Sequence, residues 1–193
     1  YDPMEKAMLK HCKILGFSNE YLFGGEMIRE YAFTNELKMM GHIWRRDDGI
    51  TIAAKGSPER ILAICELTNL EKQVAEQKIT EMSKQGLRVI AVATAKPQSE
   101  AEVPAQITDC RLTLCGLIGL ADPPRESVKA DIAVCNKAGI RVVMITGDNG
   151  ITAASIAKKI GMQNSDHIIT GDMLNEMTDE ELREKVKDVS IFS

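Results

Sequence analysis

The chain has 193 residues, 44% of them apolar, and a net charge of −4, enough for one large domain or two small ones built on a real core. That charge gives no reason to expect a nucleic-acid face. Five cysteines (Cys12, Cys65, Cys110, Cys115, Cys135) form no C-x-x-C pair and fit a reducing compartment better than a disulfide framework. The scattered His11, His42 and His167 argue against a His-based metal site, so no resident metal is expected. The longest apolar run, residues 112–121, is well short of the roughly 20 residues a membrane span requires. Tyr1-Asp2-Pro3 is neither basic nor apolar, so the segment is expected to be soluble, with no signal peptide and no membrane contact.

In chain order, YDPMEKAMLKHCKILG carries a helix-start signature. Asp2 is placed to cap, Pro3 fits the first helical position, and Glu5 follows three residues after the cap, as in a capping box. Met4, Met8, Cys12 and Leu15 mark one face, and Gly16 can end the helix. Two strand-like runs follow, residues 26–33 and 38–46, the second turning through Asp47-Asp48-Gly49 into a strand at 50–55. Ser57 is the expected cap of a short helix. A longer helix presents Ala75, Ile79 and Met82 on one face and ends at Gly86. Residues 87–95 form a buried strand, 96–110 a polar surface loop, and 111–120 another strand.

Asp122-Pro123-Pro124-Arg125 stiffens the chain and marks a boundary or hinge. Beyond it the rhythm changes to helix (Val128, Ile132, Cys135), strand (140–146), helix (Ala153, Ile156, Ile160), strand (167–170), acidic helix (179–187) and strand (189–192). Alternating short strands and amphipathic helices predict parallel βαβ units, whose ligands bind outside the carboxyl ends of the strands. Thr146-Gly147-Asp148 falls at that place. A hydroxyl, a glycine and a carboxylate just before a helix suit a phosphoryl oxygen or hydrated Mg²⁺, although Asp148 or Asn149 could equally just cap the helix. Neither a P-loop nor a G-x-G-x-x-G fingerprint is present.

Taken together, DPMEKAML, EYAFTNELKMM, AAKGSPE, QGLRVIAVA, DPPR and MITGDN resemble, in order, the motifs of the cytoplasmic headpiece of P-type cation-transporting ATPases, most closely the type II, calcium-pump-like members. The resemblance implies two pieces. Residues 1–120 would be an α+β nucleotide-binding domain, an antiparallel sheet with flanking helices. Residues 121–193 would be part of a phosphorylation domain, an incomplete α/β, haloacid-dehalogenase-like (Rossmann-like) parallel segment.

It also implies that ATP, with Mg²⁺, is the ligand, and that the remainder of the pump, its phosphorylation, actuator and transmembrane parts, is the partner, on the cytoplasmic side of a membrane. Phe33 would stack on adenine and Glu5 would accept from its amino group, a role that competes with the capping box. Lys38 and Lys55 would line the site, with Gly56 allowing close approach. Arg88, in an otherwise apolar strand, would meet either a phosphate or a structural carboxylate. Thr146, Gly147 and Asp148 would cradle an aspartyl phosphate, and Asp122, Pro123, Pro124 and Arg125 would form the hinge.

The family's phosphorylated aspartate sits in D-K-T-G-T, which this sequence lacks, so the chain alone is expected to bind ATP without being phosphorylated. One departure stands out: Leu37 occupies the position where the family usually has arginine. A stand-alone nucleotide-binding module is the alternative. An independent dehalogenase-type phosphatase is disfavoured, because no aspartate nucleophile follows an early strand. The transported ion cannot be read from this segment.

Overall fold

The computed structural model describes residues 2–193. Contacts divide the chain into two compact units, one of residues up to Gln73 with Ile90–Leu120, the other of Val74–Val89 with Ala121–Ser193.

The first unit opens with α1 (Pro3–Ile14), capped by Asp2, whose carboxylate accepts from the Met4 N–H at 2.9 Å. Proline takes the first helical position, and Gly16, at φ 88°, carries the chain out of the helix. A five-residue helix not foreseen from the sequence, α2 (Asn19–Phe23), follows under a Ser18 cap. Five strands then form a sheet in the order β1-β2-β3-β4-β5: β1 (Glu26–Tyr31), β2 (Met39–Arg46), β3 (Gly49–Gly56), β4 (Arg88–Ala95) and β5 (Thr113–Leu120). The pairs β1/β2, β2/β3 and β3/β4 are antiparallel. Arg46 faces Gly49, so Asp47 and Asp48 are the two loop residues of the expected hairpin, and Gly49 at φ 117° supplies the positive dihedral that closes it.

The sheet buries Tyr31, Met39, Ile43, Ile52, Ala54, Ala91 and Ala93 against Ile61 of α3 (Pro58–Ala63) and against Leu112. Ser57 holds the cap position of α3, but its side chain makes no capping bond. The link at 96–110 departs from the expected surface loop. It forms two short 3-10 turns and sends Ile107 and Cys110 into the core, 3% and 4% exposed, with Val103 packed alongside. Its backbone is held by polar contacts: the Arg29 guanidinium donates to the carbonyls of Val103 and Pro104, and the Tyr31 hydroxyl donates to Pro104 at 2.6 Å.

The helix α4 (Asn69–Lys84), whose residues from Val74 on belong to the second unit, ends at Gly86, φ 82°, as its pattern predicts. The α5 helix (Val128–Lys137), α6 (Gly150–Lys159), α7 (Gly171–Glu176) and α8 (Asp179–Lys185) surround a parallel sheet ordered β6-β8-β7. Its strands are β6 (Met144–Ile145), β7 (Ile168–Ile169) and β8 (Ile191–Phe192). The parallel βαβ arrangement is as the alternation predicts; the strands are shorter. β6 pairs only with β8, so residues 140–143 have no ladder partner there and remain irregular. Ile132, Ala153, Ala157, Ile160, Met162 and Ile191 form this unit's core. Thr178 and Glu181 close a reciprocal capping box on α8. Asp122, Pro123, Pro124 and Arg125 are irregular and exposed.

Candidate functional site

Strand register brings most of the nucleotide candidates to one end of the first sheet. Tyr31 pairs with Gly41, and Met39 with Gly56, so the exit of β1, the entry of β2 and the exit of β3 share that end. Phe33 lies two residues beyond β1 and is 55% exposed. A phenyl ring left in water at the end of a strand, beside a well-filled core, has a free face for stacking. Lys38 adopts φ 51°, a left-handed conformation uncommon outside glycine. Two backbone bonds hold it there: its N–H donates to Thr34 and its carbonyl accepts from Ser57, at 2.8 and 2.9 Å.

Lys55 reaches Glu5 on α1, Nζ to Oε1 2.5 Å, with both side chains about a quarter exposed (27% and 28%). Of the two roles open for Glu5 in the sequence, the capping box is not formed: its carboxylate pairs with Lys55 instead. The bond from Lys55 holds the Glu5 carboxyl below its ordinary range, partly opposed by burial. One of the ammonium's three N–H donors is thereby committed. Gly56 is required by the chain itself. A Cβ there would lie 2.4 Å from the Met39 Cβ and 2.6 Å from the Lys38 carbonyl oxygen, so the close approach it permits is between β3 and the entry to β2. Leu37 turns inward and packs on the first core, so the arginine of the usual motif is replaced by an apolar anchor.

Arg88 is the first residue of β4, exposed rather than enclosed in the strand, and belongs to the second unit. Its Nε stands 3.7 Å from Asp148 Oδ1. The two readings of Arg88, phosphate or carboxylate partner, thus begin with a carboxylate, at a distance that leaves the guanidinium's other N–H groups available.

The segment at 146–148 follows β6 and precedes α6. Thr146 donates its N–H to the Phe192 carbonyl, and its hydroxyl accepts from the Asp148 N–H at 3.1 Å, a tight local turn. Asn149 caps α6, accepting from the Ile151 N–H at 2.9 Å, so Asp148 is relieved of that duty. A Cβ on Gly147 would meet no atom within 4 Å. The turn therefore presents a hydroxyl, an unhindered backbone and a carboxylate at the positive end of a ten-residue helix. Mg²⁺ characteristically keeps several waters and takes one or two carboxylates plus substrate phosphates, a donor set Asp148 and a nucleotide can complete together. No cluster of three or more metal-binding side chains occurs among the described residues.

The family described as "P-type ATPase, cytoplasmic domain N" matches residues 1–127. The chain belongs to the P-type cation ATPases. It is 36% identical over its whole length to calcium-transporting ATPase 1 of Lactococcus lactis and to the calcium-transporting ATPase of Bacillus subtilis, and spans 23% of each. It is 34% identical, over 94% of its length, to the sodium/potassium exporting P-type ATPase cta3 of Schizosaccharomyces pombe, of which it spans 20%. The chain thus corresponds to less than a quarter of these curated relatives. No helix among the described residues is long and apolar enough to cross a membrane.

Proposed function

We propose that this segment is the ATP-binding part of a cation-transporting pump, calcium being the ion that most of the relatives' names favour. Residues 1–120 act as the nucleotide-binding domain and 121–193 as part of the phosphorylation domain, with Asp122–Arg125 as the hinge. The observation that carries the reading is Phe33: an aromatic ring more than half exposed, at the sheet end that also carries Lys38 and Lys55, in a chain matching the family's domain N.

Adenine stacks on Phe33, and Lys38 and Lys55 supply positive charge, the latter held in place by Glu5. Arg88 meets the phosphates. Thr146, Gly147 and Asp148 steady the phosphoryl group as it moves to an aspartate that these 193 residues do not contain, Mg²⁺ arriving with the nucleotide. Such transfer depends mainly on positioning and charge neutralisation. The assembly works from the cytoplasmic side of a membrane, with the rest of the pump as partner.

Calorimetric titration with ATP, with and without Mg²⁺, tests this on the wild type and Phe33→Ala. Stacking on an aromatic is worth about 1–3 kcal/mol per base, so the variant should bind roughly tenfold or more weakly. The exposed ring should leave the melting temperature nearly unchanged. Equal affinity in the variant would remove adenine from Phe33.

A further inference from the structure

Three α6 side chains reach the same stretch of backbone. Thr152 Oγ1 donates to the Leu87 carbonyl at 3.0 Å, Ser155 Oγ to the Lys84 carbonyl at 2.9 Å, and the Lys159 ammonium to the Gln85 carbonyl. Residues 152, 155 and 159 recur at helical spacing, so one face of α6 grips the end of α4 and the turn beyond it. The grip is close. A Cβ on Gly86 would lie 2.9 Å from the Lys159 Nζ and 3.4 Å from the Ser155 Oγ.

Thr152 is 2% exposed. A helical threonine can satisfy its hydroxyl on the carbonyl four residues back; this one crosses to Leu87 instead. The carbonyls at the end of α4 also lack partners within their own helix, so cationic and hydroxyl donors are well placed there.

This grip has a consequence for charge. Leu87 is bonded to Arg88, and Asp148 precedes the Asn149 cap of the helix that carries the three donors. Arg88 and Asp148, 3.7 Å apart, are therefore both referenced to one rigid element, α6. We infer that Thr152, Ser155 and Lys159 are positioning residues: by clasping the backbone of residues 84–87 onto α6, they set where the Arg88 guanidinium stands beside Asp148. The inference deepens the proposed function and rests on its reading of Arg88 as the phosphate contact.

The test is the preference of the full chain for Mg·ATP over adenosine, measured by calorimetry. Adenosine lacks the phosphates, so the ratio reports the phosphate end alone. Thr152→Val, which keeps the shape and removes the hydroxyl, should lower the ratio roughly tenfold, and Thr152→Ser should restore it. Lys159→Met and Ser155→Ala change positions outside the core and keep the test decisive should the buried variant fold poorly; each should lower the ratio several-fold while leaving adenosine affinity unchanged. Variants that lose thermal stability yet keep the wild-type ratio would overturn the clasp. A ratio unmoved by Arg88→Ala, or no preference for Mg·ATP in the wild type, would instead bring down the reading of Arg88 and the inference with it.

Discussion

Tyr31 shows what burial does to one acid. Its ring is 7% exposed, and loss of water around the phenol pushes its pKa up to about 12, with Cys110 adding to the effect and Arg29 opposing it. An unfolded tyrosine titrates near about 10. The folded pKa is the higher one, so the group's contribution to stability is complete below about pH 10 and is lost as pH rises through about 12. Ultraviolet titration should show a tyrosine step at about pH 12, and Tyr31→Phe should delete that step. The same polar cluster was the least legible part of the sequence. Residues 96–110 read as solvent-facing because Pro97, Pro104 and two glutamates make poor strand and poor core, yet Ile107 and Cys110 fill the core while Arg29 and Tyr31 satisfy the backbone carbonyls. Leu37 was visible as a departure, but its inward turn depends on strands far along the chain. The Glu5–Lys55 pair joins a helix and a strand 50 residues apart, which local spacing cannot reveal.

Elements with their own local signals were read well. Capping at Asp2, the Asp-Gly hairpin and the glycine ending α4 all rest on contacts within a few residues. The short parallel strands were overestimated, because an apolar run such as 140–146 advertises burial while the ladder extends only as far as its neighbour permits. Chain order alone sets the 146–148 segment between β6 and α6, but its freedom from helix capping depends on Asn149 taking that task. Between β2 and β3 the tolerance is nil. Gly56→Ala would drive a methyl into the Met39 Cβ and the Lys38 carbonyl, both fixed by the ladder, and overpacking of this kind costs about 1–3 kcal/mol. Denaturant unfolding should show that loss. Because Ser57 bonds the Lys38 carbonyl, the same variant should also disturb the lysine's left-handed geometry, readable as shifts of the Lys38 amide resonance.

On the scale of the whole chain, the segment spans less than a quarter of its curated relatives. Incubated with Mg²⁺ and radiolabelled ATP, it should accumulate no acid-stable, hydroxylamine-labile phosphoenzyme, since D-K-T-G-T is not among its residues. A labelled product of that type would mean that another carboxylate here is the acceptor. The glycines carry a different message, about which substitutions a lineage could survive. Gly56 is dictated by neighbouring backbone and Cβ atoms and Gly86 by its φ of 82°, so their alphabet is closed whatever the protein binds. Gly147 is not: nothing in the fold objects to a methyl there. An alanine at 147 would be silent in a folding screen, and any intolerance it showed in a transport screen would come from the visitor rather than from the house.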